Sequence, residues 1–294
     1  MTPASLIDHL SLLLWPDGTV HPRLIGGSLM PRPVLEAAFR RQCRPVLLGP
    51  DRVLCRVLGN FKMVLDPRDS GLAPHLLLDG HWEWWVTRFL TQQVRRGMVV
   101  ADVGAHAGYF SMLMASLVGP AGRLHAVEPN PAMAALLAEN LSINGFTPHA
   151  QLHQAAAAAQ SGGQLRFVVD PTEPKNGRIL FRRGKAHPSL SEQAVTALAL
   201  DDLPEARIDV MKIDVEGAEA EAWAGMQGLL ARSPDIMVLM EFNAQRLSQP
   251  RALLATIAAR FPLRELTDKC EVRPVAEAAV LDRPLDTMLM LTNA

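Results

Sequence analysis

Three stretches of the 294-residue chain place acids, glycines and a histidine at spacings suited to chemistry. In ADVGAHAG, residues 101–108, Asp102 closes the apolar run MVVADV (98–103), and Gly104, His106 and Gly108 follow before apolar helix spacing resumes. A strand that hands over to a helix leaves unpaired backbone N–H groups at a dipole end that favours negative charge. Glycines at such a turn permit a sharp bend and close approach of a ligand. In the second stretch Glu128 ends the next apolar run, followed by Pro129 and Asn130; in the third, KIDVEGAE (212–219) sets Asp214 and Glu216 after an apolar run. Glu241 ends the run after that. Reacting groups in open α/β sheets gather beyond the carboxyl ends of the strands, where these acids are expected.

A bound pyrophosphate fits the first turn poorly. The spacing is G-A-H-A-G rather than G-x-G-x-x-G, and Asp102, two residues before the first glycine, repels a phosphate by roughly a few kcal/mol at low effective dielectric. A ligand carrying an ammonium beside a carboxylate avoids that conflict, and the amino-acid end of S-adenosylmethionine is such a ligand. Glu128 sits where an acid after the second strand accepts both ribose hydroxyls, each charge-assisted bond contributing roughly 1.5–3 kcal/mol. Nicotinamide cofactors use the same position, so Glu128 points to an adenosine ribose more than to one adenosine compound. Taken singly, Asp102 also reads as a helix cap and Glu128 as a first-turn acid; the pair on consecutive strands carries the signal.

These residues need strands and helices to hold them. From about residue 98, short apolar runs alternate with helix-period segments, the pattern of an α/β domain on a mostly parallel sheet. Strands are expected near 98–103, 123–128, 151–155, 208–214, 235–241 and 286–292. Phe110, Leu113, Met114 and Leu117 give the first helix one apolar face, and Met133, Leu136, Leu137 and Leu141 the second, which opens on Asn130-Pro131 and ends at Asn144-Gly145. QLRFVV (164–169) and GRILF (177–181) flank the turn-rich DPTEPKN, so an inserted hairpin or loop is expected. It carries Arg178, Arg182, Arg183 and Lys185, read as a solvated basic loop or as a lid over an acidic substrate. Residues 1 to about 95 show helical patterns near 5–14 and 32–41 and the cluster HWEWW (81–85), whose tryptophans are expected to pack on the main sheet.

With 49% hydrophobic and 20% charged residues, the chain is long enough for one large domain with an appended segment. Lys and Arg number 29 against 30 Asp and Glu, which gives no support to a nucleic-acid partner held by bulk charge. Cys43, Cys55 and Cys270 form no C-x-x-C pair and suggest neither a disulfide framework nor zinc. The N-terminus lacks a basic n-region, and LSLLLW is too short to span a membrane, so a cytoplasmic protein without a membrane partner is expected.

Four stretches, GHWEWWVTRFL (80–90), GMVVADVGAHAGYFS (97–111), HAVEPNPAMAALLAENLSINGF (125–146) and IDVMKIDVEGAEAEAWAGM (208–226), together make the chain one that resembles the FkbM-type S-adenosylmethionine-dependent methyltransferases. The resemblance spans roughly residues 60–245, with K-I-D-V-E-G-A-E its most discriminating part. It implies a class I methyltransferase (Rossmann-like) fold: a mostly parallel seven-stranded sheet with helices on both faces, here over residues 61–294, behind an N-terminal extension of residues 1–60. It further implies S-adenosylmethionine as cofactor and methylation of an oxygen, often on a sugar, polyketide or other secondary metabolite. Asp102, Gly104, His106 and Gly108 then become cofactor-turn positions, with His106 where the family commonly has asparagine. Glu128, Pro129 and Asn130 become the ribose and adenine edge.

Methyl transfer from a sulfonium is an in-line displacement that needs a nucleophile aligned about 3–3.5 Å from the carbon. An alcohol must also lose a proton, to a base or with the help of a metal. Asp214, Glu216 and Glu241 are the candidate catalytic acids, Asp214 foremost; Lys212, Asp214 and Glu216 share strand parity. The alternatives are an N-cap for Asp214 and a capping role for Glu216 with Glu219. No metal site is assigned, although Asp214, Glu241 and Asn243 are analogous to the Mg²⁺ ligands of catechol-type methyltransferases. His187 is a further possible base, or a solvated loop histidine. The expected function is an O-methyltransferase for a hydroxyl of a small molecule or glycan. The rivals are an NAD(P)-dependent oxidoreductase and a cofactor-binding subunit without turnover.

Overall fold

The computed structural model describes residues 31–170, 172–180 and 187–293, together with Ile25. The helix expected near 5–14, and Arg182, Arg183 and Lys185, lie outside the described residues. In chain order the elements are α1 (Arg32–Gln42), β1 (Val46–Gly49), β2 (Arg52–Val57), β3 (Phe61–Leu65), α2 (Ala73–Asp79), α3 (Trp84–Gln93), β4 (Val99–Val103), α4 (Tyr109–Val118), β5 (Arg123–Val127), α5 (Pro131–Ile143), β6 (Ala150–His153) and β7 (Ala156–Ala157). There follow β8 (Gln164–Asp170), β9 (Glu173–Ile179), β10 (Ser191–Leu198), β11 (Val210–Ile213), α6 (Glu219–Ala224), α7 (Gln227–Arg232), β12 (Met237–Phe242), α8 (Pro250–Ala258), β13 (Arg264–Leu266), β14 (Val272–Pro274), α9 (Glu277–Leu281) and β15 (Thr287–Leu291).

The main sheet runs β14-β13-β15-β12-β11-β4-β5-β6. Strands β6, β5, β4, β11 and β12 are mutually parallel, whereas β15, β13 and β14 continue the sheet antiparallel. This is the class I methyltransferase arrangement, with eight strands where seven were expected, because the residues of β13 and β14 form an edge hairpin. All six expected strands are present within a residue or two of their expected ends. The near-continuous apolar runs of β4, β5, β11 and β12 reflect burial on both faces. Alternate residues supply two cores. Val100, Leu124, Val210 and Leu239 face one core, shared with Phe110, Leu113, Met114 and Leu117 of α4. Ala101, Val127, Met211 and Val238 face the other, shared with α6, α7 and α8.

The chain leaves β4 toward β5 on one side and returns as β11 on the other, so the strand order reverses at β4 and opens a crevice at the carboxyl ends there. Helix α5 begins as expected: Asn130 Oδ1 accepts from Ala132 N (3.1 Å) and Pro131 occupies the first turn.

Two accessory sheets flank this body. Strands β1, β2 and β3 form an antiparallel meander that no pattern in the sequence announced. Residue 60 lies in the turn between β2 and β3. The meander is pinned by Asn140, fully buried on α5, whose amide bonds Val64 N (2.7 Å), Val64 O (3.0 Å) and Ala107 O (2.9 Å). Asn140→Ala orphans a backbone donor and two carbonyls. It is expected to cost about 2–4 kcal/mol of unfolding free energy by denaturant titration. The second sheet, β7-β10-β8-β9, contains the expected hairpin, with Phe167 opposite Ile179, but β9 already starts at Glu173. The turn is therefore shorter than DPTEPKN. Its outer end is tied down where Ser70 N and Oγ both donate to Thr172 O (2.9 and 2.8 Å).

Candidate active site

The first turn is tied to its neighbours by backbone. Gly104 N and Ala105 N both donate to Val127 O at the end of β5 (2.9 and 3.1 Å). His106, at φ +49, donates its N–H to Glu128 Oε2 (2.7 Å), and Asn130 N–H donates to Glu128 Oε1 (2.8 Å). Each carboxylate oxygen thus spends one lone pair on the protein and keeps another. The His106 ring places Nε2 3.8 Å from Asp69 Oδ2 in the loop after β3.

At both glycines a side chain would collide with a neighbouring element. A Cβ on Gly104 (φ +82) falls 1.7 Å from the Asp214 carbonyl oxygen, so the turns after β4 and β11 touch backbone to backbone. A Cβ on Gly108 (φ +96) meets Leu137 Cδ1 at 2.4 Å.

A hollow opens over these turns, and Gly104, His106, Glu128 and Pro129 line it. Asp102, Gly108 and Asn130 do not; they stand behind the wall. Asp102, 1% exposed, accepts Ser111 Oγ on Oδ2 (2.6 Å), while its buried Oδ1 has no hydrogen-bond partner. Asn176, Gly177 and Arg178 of β9 also line the hollow, whose volume is about 190 Å³.

All three candidate catalytic acids line the same hollow. Oxygens of Asp214, Glu216 and Glu241 lie within 4.8 Å of one another. Lys212, 2% exposed, extends Nζ to Asp214 Oδ2 (2.9 Å) and lies 4.9 Å from the Phe110 ring centroid. Arg246 Nη1 reaches Glu216 Oε2 (2.6 Å), Glu241 Oε1 (2.9 Å) and Asp286 Oδ1 (3.5 Å). Asn243 does not line the hollow: its Nδ2 donates to Asp286 Oδ1 and its Oδ1 accepts from Gln245 N. His187 bonds Ser189 on an exposed loop and does not line the hollow. Glu219 takes Gly217 N–H on Oε1 (3.1 Å), as a helix-start acid does. Arg246 and Asp286 gave no signal in the sequence, because loops with no periodicity bring them in, while Lys212, Trp82 and Glu83 stood in motifs that assigned them no place at the site.

The electrostatics follow from crowding. Burial, then Asp214, Asp286 and Glu216, pushes the Glu241 carboxyl up to about 9. Burial and Asp214 push Glu216 up to about 7 against the pull of Arg246. The Arg246 guanidinium and the Lys212 ammonium cannot neutralise Asp214, Glu216, Glu241 and Asp286 together, so Glu216 and Glu241 hold their protons more tightly than free carboxyls. Burial lifts Glu128 to about 7 despite its two backbone donors. Burial lowers the Lys212 pKa, but Asp214, Asp102 and Glu83 outweigh it and keep the ammonium charged.

Acids raised in the fold bind protons more tightly than in the unfolded chain, whose ordinary value is 4.5. Their contribution to stability is full below about 4.5 and is lost as pH rises through about 7 and about 9. The ligand-free protein is expected to melt lower by roughly 5 °C or more at pH 9 than at pH 6, and Glu241→Gln to remove much of that slope, in thermal melts.

Comparison with known proteins matches residues 102–268 to the family described as Methyltransferase FkbM domain. The protein-L-isoaspartate O-methyltransferase of Korarchaeum cryptofilum is 34% identical over 164 residues, 51% of this chain and 68% of that one. The protein of the same name from Aeropyrum pernix is 50% identical over 103 residues, 30% of this chain, and the match spans 39% of its length. A methyltransferase FkbM structure from Methylobacillus flagellatus aligns at a TM-score of 0.43 and 15% identity, over 71% of this chain and 53% of that one. The family match covers more than half the chain and contains the turn after β4, Glu128 and the three acids: this chain belongs to the FkbM methyltransferase family, a group of S-adenosylmethionine-dependent methyltransferases.

Proposed function

We propose that the protein is an O-methyltransferase that uses S-adenosylmethionine to methylate a hydroxyl of a small molecule, a secondary metabolite or a sugar or glycan. The observation that carries this reading is one hollow bounded on one side by Glu128 and the Gly104–His106 turn and on the other by Asp214, Glu216 and Glu241. The residues fit the cofactor. Glu128 has a lone pair left on each oxygen for a ribose diol. The hollow, at about 190 Å³, is smaller than the roughly 300–1,000 Å³ of pockets for ligands of this size, so its lining has to open for a nucleoside to enter.

The bound cofactor supplies an electrophilic methyl group on a sulfonium. The protein's share is to orient the acceptor oxygen in line and to take its proton. Asp214, held by Lys212, is the first-choice base, with Glu241 and Glu216 close beside it. A cytoplasmic location, without nucleic-acid or membrane partners, accords with the balanced charge; no described helix is long and apolar enough to cross a membrane.

The relatives' names support a second reading, in which the acceptor oxygen belongs to an isoaspartyl carboxylate. Labelled cofactor incubated with a metabolite extract and with an isoaspartyl peptide separates the two. A label that survives mild alkali is an ether and supports the proposal. One released as methanol is an ester and refutes it.

A further inference from the structure

A second hollow, of about 630 Å³, adjoins the first and shares Trp82, Glu83, Glu241 and Asp286 with it. The shared residues make a common boundary, so a group in the second hollow meets Glu83, Glu241 and Asp286, while Asp214 and Glu216 line the first hollow alone. Its far side is aromatic: Trp85 and His75 line it, and the His75 ring lies 4.8 Å from that of Trp82. Its cations are already engaged. Arg273 Nε and Arg283 Nη1 both bond Glu265 (2.8 and 2.6 Å), and Arg32 Nε bonds Glu36 (2.7 Å). An anionic ligand would face Asp79, Glu83, Glu241, Glu265, Asp268 and Asp286 on the lining, against three guanidiniums each already paired with a carboxylate through one nitrogen, whereas hydroxyl groups can donate to those carboxylates. Apolar C–H faces find the indoles.

We propose that this second hollow is the acceptor site and that it selects an uncharged alcohol with an apolar face, turning away carboxylate and phosphate acceptors. The inference rests on the reading of the first hollow as the methyl-donor site. It explains how relatives in name can act on isoaspartate while this pocket does not favour a carboxylate.

The test uses the whole chain saturated with S-adenosylhomocysteine and two probes of one shape, cyclohexane-1,2-diol and cyclohexanecarboxylate, followed by saturation-transfer NMR. The diol is expected to bind, at least fivefold more tightly than the carboxylate, and to lose at least fivefold in Trp85→Ala. Leu285, 72% exposed on the rim, provides a variant that leaves the fold intact: Leu285→Lys adds an unengaged cation and is expected to raise carboxylate binding at least fivefold. Equal or stronger binding of the carboxylate to the unaltered protein, a diol signal indifferent to Trp85→Ala while Leu285→Lys changes nothing, or no signal from either probe overturns the proposal. Failure of S-adenosylhomocysteine itself to bind sinks instead the donor-site reading, and unchanged binding of it in Trp85→Ala certifies that variant's fold.

Discussion

Glu128→Ala is expected to weaken binding of S-adenosylhomocysteine at least tenfold by calorimetry. A tenfold loss is about 1.4 kcal/mol, and one charge-assisted hydrogen bond to a ribose hydroxyl contributes roughly 1.5–3 kcal/mol, so loss of a single such bond suffices. The substitution also strands His106 N–H and Asn130 N–H, which the carboxylate now holds at 2.7 and 2.8 Å. Those two donors shape the turn after β4 and the start of α5, so the variant is expected to melt lower as well. Glu128→Gln separates the effects, since its carbonyl still satisfies one backbone donor while the charge is gone. Because burial lifts Glu128 to about 7, affinity in the unaltered protein is expected to fall as pH drops below 7, where the carboxyl takes a proton. That dependence should vanish in both variants. Retention of full affinity in Glu128→Ala would show that the ribose is held elsewhere.

Much of this site could be read in the sequence because strands in a parallel sheet announce themselves as apolar runs, and their carboxyl ends fix where functional residues sit. Asp102, Glu128, Asp214 and Glu241 were found in that way, and β4, β5, β11 and β12 bring three of them, all but Asp102, to one hollow. The pattern does not reveal depth. Asp102 and Gly108 share the turn with Gly104 and His106, yet strand parity and the close contact of Gly108 with Leu137 place them behind the wall. Nor does it reveal residues whose position is set by another element. Arg246 reaches three carboxylates from a loop, and Asn243, three residues earlier, bonds Asp286 rather than Asp214 or Glu241. The meander β1-β2-β3 escaped notice because its outer strand exposes Val46, Leu47 and Leu48 in succession and lacks the alternation that marks a half-buried strand.

Asp214→Asn is expected to lower the rate constant of methyl transfer by about 10²–10⁴ while leaving affinity for S-adenosylhomocysteine within about threefold, by single-turnover assay and calorimetry. The substitution keeps the shape of the side chain and removes its charge. The main chain there is fixed independently, since Asp214 N donates to Val103 O (2.9 Å) and the Asp214 carbonyl packs where Gly104 lacks a Cβ. A rate loss therefore reports lost basicity rather than a displaced loop. The same change should act on stability with the opposite sign. Asp214 is, after burial, the largest influence raising Glu241 and Glu216, so removing its charge lowers both and relieves like-charge repulsion in the ligand-free protein. The variant is thus expected to melt no lower than the unaltered protein above pH 7, and its fall in melting temperature toward pH 9 to be shallower. A variant both slower and less stable points to a structural role for Asp214 in holding Lys212, buried at 2% exposure with its ammonium 2.9 Å away. A variant with more than a tenth of the original rate shows that Asp214 is not the base.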